Sequence, residues 1–188
     1  MSETHVIGNL RNRYMSHRRV LCTGNPDDPW TIASGVRRHW PDATFISRSN
    51  GYDLKTADQS QLTELFKHHN TFINASYIGA GVQSRLLEIC NQSTKFCDVF
   101  NIGSTHEYDE LGPAHYRDSK LNLRQLSLSL NTFRFKTCHM IIGGIKKTND
   151  PEYTSWLEVD EICELIKWVM AQRFNVPIIS MDQPRKPW

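Results

Sequence analysis

The chain has 188 residues, 39% of them hydrophobic and 22% charged, with a formal net charge of +2 at neutral pH. That is enough chain for one domain with a packed core, in a composition that excludes a disordered or fibrous protein. The small net charge argues against a polyanion partner such as nucleic acid, and no apolar run reaches membrane-spanning length, so no membrane partner is expected either.

In chain order, residues 1–18 are polar and aperiodic and read as a flexible N-terminal arm, and the basic cluster Arg11, Arg13, Arg18 and Arg19 reads as solvated charge. Val20 to Thr23 is a short apolar strand. Thr31 to Trp40 reads as a helix stopped by Pro41. Strand Thr44–Ser47 and helix Gln59–His68 follow, the helix with Leu62, Leu65 and Phe66 on one face. Strand Thr71–Asn74 precedes a helix from Gly81 to Gln92, with Val82, Leu86, Leu87 and Cys90 inward. Asp98–Ile102 is the fourth strand, and Tyr116 to about Asn131 the next helix. That helix ends in alternating Leu and Ser, yet Leu123, Leu126 and Leu130 keep a helical stripe. Strand His139–Ile142 comes next, then a helix to about Gln172 opened by a capping box at Ser155–Glu158, and a last strand Val176–Ile179.

Short apolar strands alternating with helices define an α/β protein with a parallel sheet covered on both faces, a doubly wound three-layer αβα sandwich of Rossmann-like type. Residues 19–188 form that single domain. Ligands of such folds sit at the carboxyl ends of the strands. Thr23-Gly24, Asn74, Ser104 and Gly143-Gly144 all follow strands and so share that edge. The cysteines Cys22, Cys90, Cys97, Cys138 and Cys163 form no Cys-x-x-Cys pair and sit mostly in apolar segments, which fits reduced thiols and a cytoplasmic location. His68 and His69 are adjacent and cannot share a helix face, so no metal site is expected.

The stretch richest in chemistry is Ser104 at the end of the fourth strand, followed by Tyr116-Arg117-Asp118-Ser119-Lys120. A tyrosine and a lysine four apart share a helix face. An ammonium held there favours the phenolate, lowering the tyrosine pKa from its usual ~10 and making it a proton donor or acceptor. A serine from a neighbouring strand end can hold the same substrate oxygen.

Asn101-Ile102-Gly103-Ser104 and Tyr116-x-x-Ser119-Lys120 resemble the short-chain dehydrogenase/reductase family, which ends a strand in Asn-Ile-Ser-Ser and carries Tyr-x-x-x-Lys about a dozen residues on. The resemblance implies that Tyr116 is the catalytic acid/base, Ser104 the partner of the substrate oxygen, and Lys120 the residue that tunes Tyr116 and binds the nicotinamide ribose. The turn after the first strand keeps Thr23, Gly24 and Asn25, then a longer loop with Thr31-Ile32-Ala33, similar to the enoyl-reductase branch, where a hydroxyl residue takes a glycine's place and can bond a phosphate. Asp27 and Asp28 depart from the pattern and would repel a pyrophosphate.

Arg48, flanked by Ser47 and Ser49, stands where an acidic residue would select NAD; it implies NADP(H) in preference to NAD(H). By the same resemblance Asp53 and Leu54 meet the adenine, Asn74, Ala75 and Ser76 border the cofactor, and Gly143, Gly144, Ile145 and Thr148 line the nicotinamide, with glycine in the family's proline place.

The chain is trimmed relative to this family. Arg48 to Asp53 leaves no room for a helix and a further strand, so six strands in the order 2-1-3-4-5-6 are expected rather than seven. The relay asparagine has no counterpart, the residue at that spacing being near Ala80, and little chain remains after Gly144 for a substrate lid. The family pairs through the helices at 81–92 and 116–131, so a homodimer or homotetramer is implied. Two functions stay open. One is an NADP(H)-dependent oxidoreductase acting on a small carbonyl or alcohol; the other is a non-catalytic dinucleotide-binding or scaffold protein. A nucleotide-sugar epimerase or reductase would share the same three residues and is disfavoured because little chain remains after the sheet to build a substrate domain.

Overall fold

A computed structural model describes residues 18–108, 112–147 and 156–182. The expected N-terminal arm, the Ser155 cap and Thr148 lie outside the described residues, Arg18 aside. The elements run β1 (Val20–Thr23), α1 (Ile32–His39), β2 (Thr44–Ile46), α2 (Gln59–Lys67), β3 (Thr71–Asn74), α3 (Val82–Ser93), β4 (Cys97–Ile102), α4 (Ala114–Leu130), β5 (Phe135–Ile142), α5 (Val159–Met170) and β6 (Ile178–Met181). All strand pairings are parallel, in the order β2-β1-β3-β4-β5-β6, as the sequence implied. Residues 48–56 add no strand; Arg48–Asn50 is a single 3-10 turn.

Alternation along the strands sorts the core into two layers. Val20, Cys22, Ile73, Phe100, Ile102, Met140 and Ile142 face α1 and α5, packing on Val36, Ile162, Cys163 and Ile166. Leu21, Phe72 and Val99 face the other way, onto Leu62 and Phe66 of α2, Leu86, Leu87 and Cys90 of α3, and Leu123 of α4. Each fully buried Leu, Ile or Phe in these layers stabilises the fold by about 1.5–3 kcal/mol.

Several boundaries differ from the sequence reading. β5 starts at Phe135, four residues before His139, because Phe135–Cys138 pair in register with Cys97–Phe100. β6 is shifted to Ile178–Met181, where it pairs with His139–Ile142. α5 is opened by Glu158, whose backbone N–H donates to the Glu161 carboxylate, rather than by an upstream serine. The Leu-Ser-Leu-Ser-Leu tail of α4 is helical, anchored where the Thr137 hydroxyl donates to the Ser127 carbonyl.

Candidate active site at the carboxyl edge

Parallel register puts Thr23, Asn74, Ile102 and Ile142 at one edge of the sheet. Beyond β4 the chain turns at Gly103 into a 3-10 turn, Thr105–Glu107, capped by Ser104. The Ser104 N–H donates to Glu107 Oε1 (3.0 Å), and the Ser104 hydroxyl accepts from His106 N–H (3.2 Å). Gly103 is required sterically: a Cβ there would overlap Glu107 Oε1 and His139 Nε2.

α4 begins at Ala114, so Tyr116 lies in its first turn and Lys120 one turn later. The three residues singled out by spacing converge. The Ser104 side chain lies near enough to the Tyr116 phenol to lower its pKa, and Lys120 Nζ lies 5.5 Å from the Tyr116 ring centroid. Tyr77, from the loop after β3, packs edge-on against Tyr116 with ring centroids 4.6 Å apart.

The electrostatics differ from the sequence expectation. Burial pushes the Tyr116 phenol up; the Ser104 bond offsets part of this, while Tyr77 and Glu107 add to it. Burial pushes Lys120 down to about 8, with Glu107 opposing. The reason is direction: Lys120 Nζ donates inward, to Gln83 Oε1 (2.7 Å) and the Ile102 carbonyl (2.6 Å). Lys120 is 2% exposed, and its ammonium serves a buried polar network before it serves the phenol. In that network Gln83 Nε2 donates to the Asn74 carbonyl (2.7 Å), and Asn74 Nδ2 donates to Asn101 Oδ1 (3.0 Å).

The loops after β1, β2 and β3 meet beside this cluster. The Thr23 hydroxyl accepts from the N–H groups of Ala75 and Ser76, both at 2.8 Å. Gly24 N–H donates to Ile46 O, and the Ser49 hydroxyl donates to Asn25 Oδ1. Ser47 and Ser49 hydroxyls bond each other at 2.7 Å. Gly24 has φ +129°, and a Cβ there would press on Ala33 Cβ and Ser76 Oγ, each at 3.0 Å; only glycine makes this turn without strain. Arg48 is exposed on its 3-10 turn, and Asp53 is exposed with its carboxylate accepting from Lys55 N–H. Asp27 is neutralised by Arg37 Nη1 at 2.8 Å, and the Asp28 carboxylate accepts from Trp30 N–H, so the repulsion expected of this acidic pair is reduced.

Several expected contacts are taken up by the fold itself. The Thr31 hydroxyl donates to Asn25 O and Asp28 O and accepts from Ser34 N–H as the N-cap of α1, so it is not free for a phosphate. Ile32 and Leu54 are core residues, and the Asn74 side chain is wholly buried. Their side chains cannot also face a ligand in this arrangement. At the other end, Gly143 N–H donates to Met181 O, a bond proline would forfeit. Gly144 O accepts from Leu157 N–H, and Ile145 bridges Leu157, drawing the chain after β5 toward α5.

Four residues here were not singled out in the sequence: Tyr77, Gln83, Glu107 and His139. Two carried a signal. Ser104-x-x-Glu107 is a capping-box pattern, and Gln83 interrupts the inward stripe of α3 one turn before Leu87.

No family model matches the chain, and no curated protein matches it by sequence. Among solved structures, a short-chain dehydrogenase/reductase from Vibrio parahaemolyticus is similar at TM-score 0.64 and 15% identity, over 88% of this chain and 100% of that one. A short-chain dehydrogenase from Burkholderia cenocepacia J2315 in complex with NADP gives TM-score 0.64 and 10% identity, over 89% of each chain. The 3-alpha-hydroxysteroid dehydrogenase from Pseudomonas sp. B-0831 complexed with NADH gives 0.59 and 13%, over 87% of this chain and 94% of that one. The chain therefore has the fold of the short-chain dehydrogenase/reductases.

Proposed function

We propose that this chain is a divergent short-chain dehydrogenase/reductase, an NADP(H)-dependent oxidoreductase acting on a small carbonyl or alcohol. The observation that carries the reading is the convergence of Ser104, Tyr116 and Lys120 at the carboxyl edge of the sheet, with the Ser104 side chain beside the Tyr116 phenol. A packed or binding-only surface has no need of that set.

A nicotinamide dinucleotide would lie at the Gly24 turn, whose φ of +129° only glycine adopts without strain, with the exposed Arg48 guanidinium offered to a 2′-phosphate. When bound, the nicotinamide supplies hydride chemistry, and the protein supplies position and the proton. Tyr116 is half-buried and held as the phenol, the form that donates a proton to a carbonyl oxygen. Ser104 holds the same oxygen. Pairing of two copies through α3 and α4 belongs to the same reading.

A non-catalytic binding protein is the second reading, favoured by one observation: the Lys120 ammonium is turned inward to Gln83 and Ile102. Titration with NADPH and NADH, followed by turnover of a panel of aldehydes and ketones, separates the two. Binding with turnover supports the enzyme, binding without turnover the second reading, and no binding of either nucleotide overturns both.

A further inference from the structure

Beneath Ser104 lies a charged cluster that the proposed chemistry does not use. The Glu107 and His139 side chains are both wholly buried, with His139 Nε2 2.8 Å from Glu107 Oε1. The same Oε1 accepts the Ser104 N–H. Arg124 of α4 approaches Oε2 at 3.4 Å. Oε2 and His139 Nδ1 have no hydrogen-bond partner. A buried, incompletely satisfied polar pair is costly, and an apolar pair of similar volume is often as stable or more so. Stability alone does not account for it. Its geometry does: one carboxylate oxygen joins the turn that carries Ser104 to β5, across the space that Gly103 leaves open.

We propose that Glu107, anchored by His139, is a positioning residue that holds the Ser104 hydroxyl against Tyr116. The inference rests on the function proposed above for its catalytic meaning, but the contact it claims is independent of turnover. The Glu107 carboxylate fixes the backbone of Ser104 and the pitch of the 105–107 turn. The Ser104 side chain, whose oxygen accepts the His106 N–H of the same turn, is thereby held on the side of Tyr116. The charged and titratable groups around Glu107 are His106 on its own turn, His139 on β5, and Tyr116, Lys120 and Arg124 on α4.

The test is a cycle read on the Tyr116 phenol. Its ultraviolet titration is the difference between each protein and its Tyr116→Phe counterpart. Ser104→Ala removes the hydrogen bond to the phenolate and raises the midpoint, by roughly 0.4–1 pH unit for one ordinary hydrogen bond. That same shift is expected in the Glu107→Gln background, because a carboxamide oxygen still accepts from Ser104 N–H. It is expected to vanish in Glu107→Leu/His139→Leu, where Ser104 is released; Glu107→Met is the second variant if that pair does not fold. Comparing shifts within each background cancels the lost charge. An undiminished Ser104→Ala shift in the folded Leu pair overturns the proposal, whether or not any carbonyl is turned over. Where turnover is found, kcat in the Leu pair should fall about as far as in Ser104→Ala, with little change in KM, and combining them should cost no more. Absence of nucleotide binding and turnover in the unaltered protein would refute the functional readings above and leave the Glu107 contact to this titration.

Discussion

Lys120 Nζ sits 5.5 Å from the Tyr116 ring centroid yet gives its hydrogen bonds to Gln83 Oε1 and the Ile102 carbonyl, at 2.7 and 2.6 Å. Proximity to the phenol and service to the fold are thus combined in one ammonium, and its burial sets what it costs.

Lys120 should make stability depend on pH in an unusual sense. Its pKa falls from the usual 10.5 to about 8 in the folded chain. Between those values the unfolded chain binds more protons, so stability rises with pH across that window and is flat below it. The difference amounts to about 3 kcal/mol at full extent. Denaturant unfolding of the unaltered protein and Lys120→Met at pH 7 and pH 10 should show the first gaining on the second at the higher pH. A constant difference would mean that the ammonium is not penalised by burial.

Tyr116→Phe should remove the proton and little else. NADPH affinity should survive within a few-fold, while carbonyl turnover falls by roughly 10²–10⁴-fold. Full reductase activity in that variant would end the assignment of Tyr116.

The sheet order was legible because the strands are short, apolar and separated by helices, and because the six residues from Arg48 to Asp53 leave no space for another strand. Ser104, Tyr116 and Lys120 were legible because their spacing places them on a strand end and one helix face. The direction of Lys120 was not. It depends on Gln83, 37 residues earlier and on another helix. Nor was the Glu107–His139 pair, formed across 32 residues, since a histidine within an apolar strand reads as packing. Thr31 misled for a related reason: a threonine before a helix can serve a ligand or cap the helix, and Asn25, Asp28 and Ser34 claim it for the cap.

Gly24→Ala should be destabilising and should weaken nucleotide binding more than the fold. A side chain at φ +129° is strained by roughly 1–3 kcal/mol, and its Cβ meets Ala33 and Ser76 at 3.0 Å. Thermal unfolding measures the first effect and NADPH titration the second. A variant that binds as well as the unaltered chain would show that the nucleotide does not approach this turn.

Arg48→Ala tests the choice of nucleotide. The guanidinium stands exposed on the 3-10 turn after β2, while Ser47 and Ser49 bond each other and Asn25 rather than Arg48. Its charge is therefore available to a 2′-phosphate, and nothing about the turn's own hydrogen bonds requires it. A charge-assisted contact of this kind is worth about 1.5–3 kcal/mol, or roughly 10–150-fold in Kd. NADPH affinity should drop by that factor in Arg48→Ala, NADH affinity should hold, and the unfolding midpoint should not move. Were the ratio of the two dissociation constants unchanged, Arg48 would be a solvated surface residue and the preference for NADP(H) would fall with it, leaving the Ser104–Tyr116 chemistry untouched.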